Sequence, residues 1–207
     1  SVRAAGAAVT AAGPLWGLVN NAGAAYPGPL EYLPIEVFRR QLDVSLVGQL
    51  FVTQQMLPAL LAGSTERGEA RIVMVGSISG RMAAPVVGGY AAAKHGLVGM
   101  TGSLRAELAP FGVKVVLIEP GVIATPIWNR GITAGEHVVA PPDVVRRYDQ
   151  MLVAARKIAR NGSARGLPPE AVATVIRAAL TDRDPRPRQV VGRDAKLIAA
   201  MVRLLPH

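Results

Sequence analysis

The 207-residue chain contains no cysteine, which excludes a disulfide framework, a thiolate nucleophile and a cysteine-ligated metal. Its three histidines, His95, His137 and His207, are scattered, so no metal site is expected. Aromatic residues make up only 4%, and none alternates with basic residues to form a stacking platform for nucleic acid. No run of eighteen uncharged apolar residues occurs, so no transmembrane helix is expected. The opening Ser1-Val2-Arg3-Ala4-Ala5-Gly6 lacks the apolar core of a signal peptide and has no initiator methionine. A cytoplasmic location is the resulting expectation. Negative charge is also short: the net charge is +9. Residues 130–207 hold 14 basic and 7 acidic side chains, net +7, which leaves +2 for the rest. A basic third can signal nucleic acid. Here the pairs Arg146-Arg147 and Arg156-Lys157 and the triplet Arg186-Pro187-Arg188 are dispersed, and a solvated basic surface is the better reading.

Apolar residues are plentiful, at 50% against 18% charged, enough for one domain across residues 1–207 with a sizeable core. Short apolar runs at 15–19, 71–75, 113–118 and 189–191 read as buried strands. Helices are expected at 2–12, 35–61, 89–110, up to about residue 160, 169–180 and 195–205. Residues 24–34 and 62–70 read as loop or turn, and 126–145 as irregular. Apolar strands alternating with helices imply an α/β fold, a doubly wound parallel sheet covered on both faces. Such sheets bind ligands beyond the carboxyl ends of their strands. Asn20-Asn21-Ala22-Gly23, Ser77 and Pro120-Gly121 each fall at such an end.

The most telling stretch is Tyr90-Ala91-Ala92-Ala93-Lys94. Alanine favours helix, and positions i and i+4 share a helix face, so phenol and ammonium point the same way. A neighbouring cation favours the phenolate, which is expected to lower the pKa of Tyr90 and suit it to proton transfer. Each motif taken singly has a plainer reading. Asn20-Asn21 closes a turn, Gly76-Ser77 caps a helix, Pro120-Gly121 is turn chemistry, and Lys94 is a solvated lysine. His95 reads as structural and Trp128 as a pocket wall or lid. Only the convergence of four motifs on one sheet edge favours a site.

In their order and spacing, with Ser77 thirteen residues before Tyr90, these motifs resemble the short-chain dehydrogenase/reductase family. The resemblance runs over essentially the whole chain, and residues 168–206 are similar to its hydroxysteroid and retinol dehydrogenase subgroup. It implies a Rossmann-like sheet, NAD or NADP as cofactor, and a small apolar alcohol or ketone as substrate. It implies Tyr90 as general acid/base, Lys94 as its partner and ribose contact, and Ser77 on the substrate oxygen. Asn20, Ala22 and Gly23 would lie along the cofactor, and Pro120, Gly121, Ile123 and Thr125 beside the nicotinamide. A lid over 126–135 would bring Ile127, Trp128 and Ile132 over the cleft. A homodimer or homotetramer is implied, through helices 35–61 and 89–110. Two departures stand out. Asp43-Val44-Ser45 has serine where the family carries asparagine, which puts the family's water-holding proton relay in doubt. The glycine-rich turn that opens the family fold is missing, so the first strands are expected to be lacking. At about 30 residues per βαβ unit, roughly 60 residues would be absent, and the chain alone is expected to bind cofactor weakly. The alternative reading is a non-catalytic homologue or fragment acting as an oligomerisation partner.

Overall fold

The computed structural model describes residues 1–135 and 141–204, apart from the side chains of Asn129, Ile132, Ala134, Gly135 and Ser163. His137, His207, residue 205 and the Ile132 side chain therefore lie outside the description. Four strands, β1 Gly17–Asn20, β2 Ala70–Val75, β3 Val113–Pro120 and β4 Arg188–Val191, pair in that order. All three pairings are parallel, as expected for the doubly wound class. The helices are α1 Val2–Ala12, α2 Ile35–Leu42, α3 Gly48–Arg67, α4 Gly88–Leu108, α5 Ile127–Gly135, α6 Pro142–Arg165, α7 Pro169–Thr181 and α8 Arg193–Leu204.

Strand side chains alternate between the two faces with period two. Ile72 and Met74 of β2, with Val115 and Leu117 of β3, pack under α3 and α4 together with Met56, Leu60 and Leu97. Val73, Val116 and Ile118 face the other way and meet Val172 and Ala179 of α7. The central strands are therefore apolar throughout, as a sheet covered on both sides requires.

Three expectations about local structure are corrected. The single helix expected over 35–61 is α2 and α3 joined by a π turn at Asp43–Val47, where the ladder widens by one residue. It also runs on through the expected turn at 62–70 as far as Arg67. Thr65 satisfies itself there by donating to the Leu61 carbonyl at 3.0 Å, and Ser64 donates to the Phe111 carbonyl at 2.7 Å. Gly68, at φ 80°, then ends the helix in the left-handed region. Joined, Ile35–Arg67 is the one described helix long and apolar enough in composition to cross a membrane. Part of its apolar surface is used inside the fold, where Met56, Ala59 and Leu60 are buried, while Ile35, Val44 and Val47 are exposed.

The third correction is α5, which falls inside the stretch expected to be irregular. Its glycines weaken a helix in isolation. Yet a Cβ on Gly131 would lie 1.9 Å from the Ala25 carbonyl oxygen, so only glycine lets the helix settle on that loop. Tertiary contact overrides propensity.

The carboxyl end of β3 is anchored by a buried ion cluster. Glu119 is 0% exposed. It accepts from Arg81 Nε at 3.0 Å and Nη2 at 2.5 Å, and from Arg188 Nε at 2.5 Å and Nη2 at 2.6 Å. One carboxylate thus joins the turn after β2, the end of β3 and the start of β4. Burial opposes its ionisation, but the hydrogen bonds and charges of Arg188 and Arg81 outweigh burial and hold its pKa below the ordinary value. A depressed carboxylate contributes stability above its unfolded pKa, and that contribution is lost as pH falls through the folded value. Glu119→Gln should cost about 3 kcal/mol, the low end for a broken buried pair because both guanidiniums keep some water. Urea unfolding below pH 4.5 should show the wild type losing stability relative to Glu119→Gln as acidity rises.

Candidate active site

A cleft of about 490 Å³ opens at the carboxyl ends of the strands. Val19, Asn21 and Gly23 line it after β1, and Val75, Gly76 and Ser77 after β2. Tyr90 and Lys94 come from the first turns of α4. Pro120, Gly121, Ile123 and Thr125 follow β3, Ile127 and Trp128 come from α5, and Val172 and Ile176 from α7. The structure thus brings together Ser77, Tyr90, Lys94, Gly23, Pro120, Gly121, Ile123 and Thr125. Asn20 and Ala22 are directed elsewhere. The Asn20 side chain, buried, donates to Thr53 Oγ1 at 2.8 Å and to Met74 Sδ at 3.1 Å. The Ala22 carbonyl accepts from Gln49 Nε2 at 2.9 Å. Asn21, not Asn20, is the cleft asparagine. Extended-chain alternation carried this signal in the sequence, since it puts residues 21 and 23 on one side.

Lys94 is 3% exposed, and its Nζ donates to the Val75 carbonyl at 2.9 Å. Burial pulls its pKa down to about 8. The ammonium lies 5.7 Å from the centre of the Tyr90 ring. Tyr90 is itself buried, and burial raises its pKa, while a hydrogen bond with the Ser77 side chain lowers it in part. The expected lowering by Lys94 is therefore corrected in this structure. Both groups are desolvated, and the ammonium is engaged with a carbonyl instead of the phenol oxygen.

The Ser77 hydroxyl also accepts from the Ser79 amide at 3.1 Å, capping the short 3₁₀ turn Ile78–Gly80. The capping reading and the site reading are both true of it. The Trp128 ring meets Tyr90 edge-on, with centroids 5.1 Å apart and planes at 63°. Asp194 of α8 accepts from the Val122 amide at 2.9 Å and so fixes the Pro120-Gly121 turn. Val86, just before α4, holds a left-handed φ of 72°, and its carbonyl accepts from the Gly28 amide at 2.7 Å. His95 Nδ1 lies 2.9 Å from the Ala91 carbonyl oxygen, in keeping with a structural role. Among the described residues no cluster of three metal-ligating side chains occurs.

Ser45 is fully buried inside the π turn. Its hydroxyl lies 3.2 Å from the Ala24 carbonyl, as donor, and accepts from Gln41 Nε2 at 2.9 Å and the Ala24 amide at 3.3 Å. A serine hydroxyl has one proton and two lone pairs, and all three are used. The side chain at position 45 has nothing left with which to hold a relay water.

Residues 2–134 match the family model described as short chain dehydrogenase. Among curated proteins, the uncharacterized oxidoreductase YusZ of Bacillus subtilis (strain 168) is 34% identical over 206 residues, spanning 100% of this chain and 71% of its own length. Retinol dehydrogenase 5 of Mus musculus is 36% identical over 202 residues, spanning 93% of this chain and 61% of its own length. Among solved structures, a short-chain dehydrogenase/reductase from Burkholderia phymatum in complex with NAD superposes with TM-score 0.79 at 26% identity, over 98% of this chain and 69% of that one. One from Burkholderia cenocepacia J2315 in complex with NADP gives TM-score 0.70 at 25% identity, over 98% and 70%. With the family model matched over more than half its length, this chain belongs to the short-chain dehydrogenase family.

Proposed function

We propose that the chain carries the reaction centre of an oxidoreductase that interconverts a secondary alcohol and a ketone, with NAD or NADP as cofactor. The observation that carries this reading is the meeting of Ser77, Tyr90 and Lys94 on the wall of one cleft. The residues present fit a nicotinamide cofactor. A Cβ on Gly23 would make only ordinary contact with Lys94 Nζ, at 3.8 Å, so there is space beside the ammonium for a ligand. That ammonium has three donors, and the Val75 carbonyl takes one. Lys94 would hold the ribose hydroxyls, with Asn21 and Gly23 on one side and Pro120, Gly121, Ile123 and Thr125 bordering the ring. When bound, the nicotinamide supplies or accepts the hydride.

The chain's own task is the proton. In reduction the Tyr90 hydroxyl gives its proton to the substrate oxygen, and in oxidation the phenolate takes it back. Ser77 donates a hydrogen bond to the same oxygen and holds it in line. Burial keeps the Tyr90 hydroxyl protonated, and the hydrogen bond with Ser77 lowers its pKa only in part. Apolar walls at Ile123, Ile127, Trp128, Val172 and Ile176 exclude water and favour an apolar substrate of retinoid or steroid size. The name of the mouse relative supports that class. A homodimer or homotetramer through the helices around α2–α4 is part of this reading, and the exposure of Val44 and Val47 supports it.

Three measurements test this reading on the full-length protein. Tyr90→Phe should lower kcat by about 10²–10⁴-fold with cofactor affinity little changed, since the ring still packs. Near-normal turnover of any accepted alcohol would remove Tyr90 from its role. In a substrate panel, retinols, steroids and long-chain alcohols should outperform sugars and hydroxy acids, and a preference for a small charged substrate would overturn the apolar assignment. The third concerns Lys94. Its folded pKa of about 8 lies below the usual 10.5, so the unfolded chain binds the extra proton between those values. The stability of the cofactor-free protein should therefore rise from pH 8 towards 10.5 relative to Lys94→Met, which lacks the titrating group. Parallel curves for the two proteins in urea unfolding would contradict the buried ammonium.

A further inference from the structure

Between Asn20 and Tyr26 the chain runs alongside the helix formed by α2, the π turn and α3. Four buried polar residues on that helix meet it at regular intervals. Thr53 Oγ1 accepts from the Asn20 side chain at 2.8 Å. Gln49 Nε2 donates to the Ala22 carbonyl at 2.9 Å. Ser45 Oγ bonds both the amide and the carbonyl of Ala24, at 3.3 and 3.2 Å. Gln41 Oε1 accepts from the Tyr26 amide at 2.9 Å, and its Nε2 donates to the Ala24 carbonyl at 2.8 Å. The helix steps back by four residues each time the loop steps forward by two. Gln41, Ser45, Gln49 and Thr53 are 0%, 0%, 2% and 1% exposed, so no water competes for these bonds.

The two steps agree in length. Four helical residues rise about 6 Å, and two extended residues span about 6.6 Å. They also need agreement in direction. Four residues of α-helix turn about 400°, which is about 40° beyond a full turn, so an i, i+4 stripe drifts sideways. The π turn at Asp43–Val47 lies within the stripe, and its wider winding takes up part of that drift. The stripe is paid for, since Gln49 Oε1 is buried without a hydrogen-bond partner.

We propose that Gln41, Ser45, Gln49 and Thr53 form a ruler that sets the register of the loop after β1, and through it the cofactor face of the cleft. The inference rests on the reading of that cleft as a nicotinamide site. Residues 20, 22, 24 and 26 face the ruler. Residues 21 and 23 face the cleft, and the Ala25 carbonyl meets Gly131 of the lid helix α5. A slip of one residue would exchange the two sets and turn Gly23 away from Lys94. The four ruler residues are positioning residues, since none of them lines the cleft.

The test uses two variants of the full-length protein, one at each end of the stripe. Gln41→Met keeps the volume and removes the hydrogen bonds to Ala24, Tyr26 and Ser45. Thr53→Val keeps the shape and removes the bond to Asn20. Each should raise the KM for cofactor about tenfold, with kcat at saturating cofactor changed far less and its pH profile unmoved. Native-state amide exchange at Ala24 and Tyr26 should quicken in Gln41→Met. If that variant does not fold, Thr53→Val decides the matter by the same KM criterion. Unchanged exchange at both amides in a folded Gln41→Met overturns the ruler. So does a lower melting temperature with an unaltered cofactor KM, which would mean a merely structural stripe. If the wild type neither binds nor uses a nicotinamide cofactor, the functional reading fails on its own account. The exchange pattern then still decides the register, because it needs no turnover.

Discussion

A buried ammonium tied to a strand carbonyl sets the terms for the rest of this site. Lys94 Nζ donates to the Val75 carbonyl, the last of β2, and so fixes the first turns of α4 over the sheet edge. Tyr90 lies one turn earlier on that helix, and its placement over Ser77 follows from where the lysine is held. The tether also has a cost. An ammonium taken out of water gives up hydration that one carbonyl replaces only in part, and the depressed pKa of Lys94 is the measure of it. A fold that keeps such a group must hold α4 firmly from elsewhere. Leu97 and Leu108 do so by packing into the core over β2 and β3.

The anchors around the cleft work at different depths. Glu119 ties the turn after β2 to β3 and β4, so the ends of three neighbouring segments move as one body. Asp194 holds the turn after β3 from α8. The loop before α2 is fastened differently. Glu31 pairs with Arg147 and Tyr148 of α6 at 2.5 and 2.6 Å, on exposed side chains. Exposed pairs of this kind contribute little and weaken with salt. The carboxyl ends of the strands are thus tied by buried contacts, while the loop before α2 is tied to α6 by exposed pairs that water can replace.

Much of this was legible in the sequence, and the parts that were not share a cause. The strands, the parallel sheet and the grouping of Ser77, Tyr90 and Lys94 follow from local pattern and from the rule that ligands bind at strand ends. Helix α5 was missed because Gly131 answers to Ala25, a residue distant in sequence. The pKa of Tyr90 was misjudged because spacing on a helix gives direction but not burial. The resemblance puts Asn20 along the cofactor, while its side chain turns from the cleft to Thr53 and Asn21 lines the cleft, a difference that burial reveals. The ruler was invisible for another reason. Gln41, Ser45, Gln49 and Thr53 are polar residues at helical spacing, the pattern of a solvated face, and only the sheet and loop laid over them make that face interior.

The π turn bears on how this chain can change over evolutionary time. A helix carrying one extra residue looks, in an alignment, like a single-position insertion within an unbroken element. Removing that residue would restore regular winding, yet everything before it would swing by about 100° relative to everything after it. Gln41 and Ser45 would then leave the line of Gln49 and Thr53, and half of the loop would lose its partners at once. Point substitutions in this helix can be sampled one by one. A change of length cannot, so outside those four positions the segment can drift in composition while remaining fixed in number.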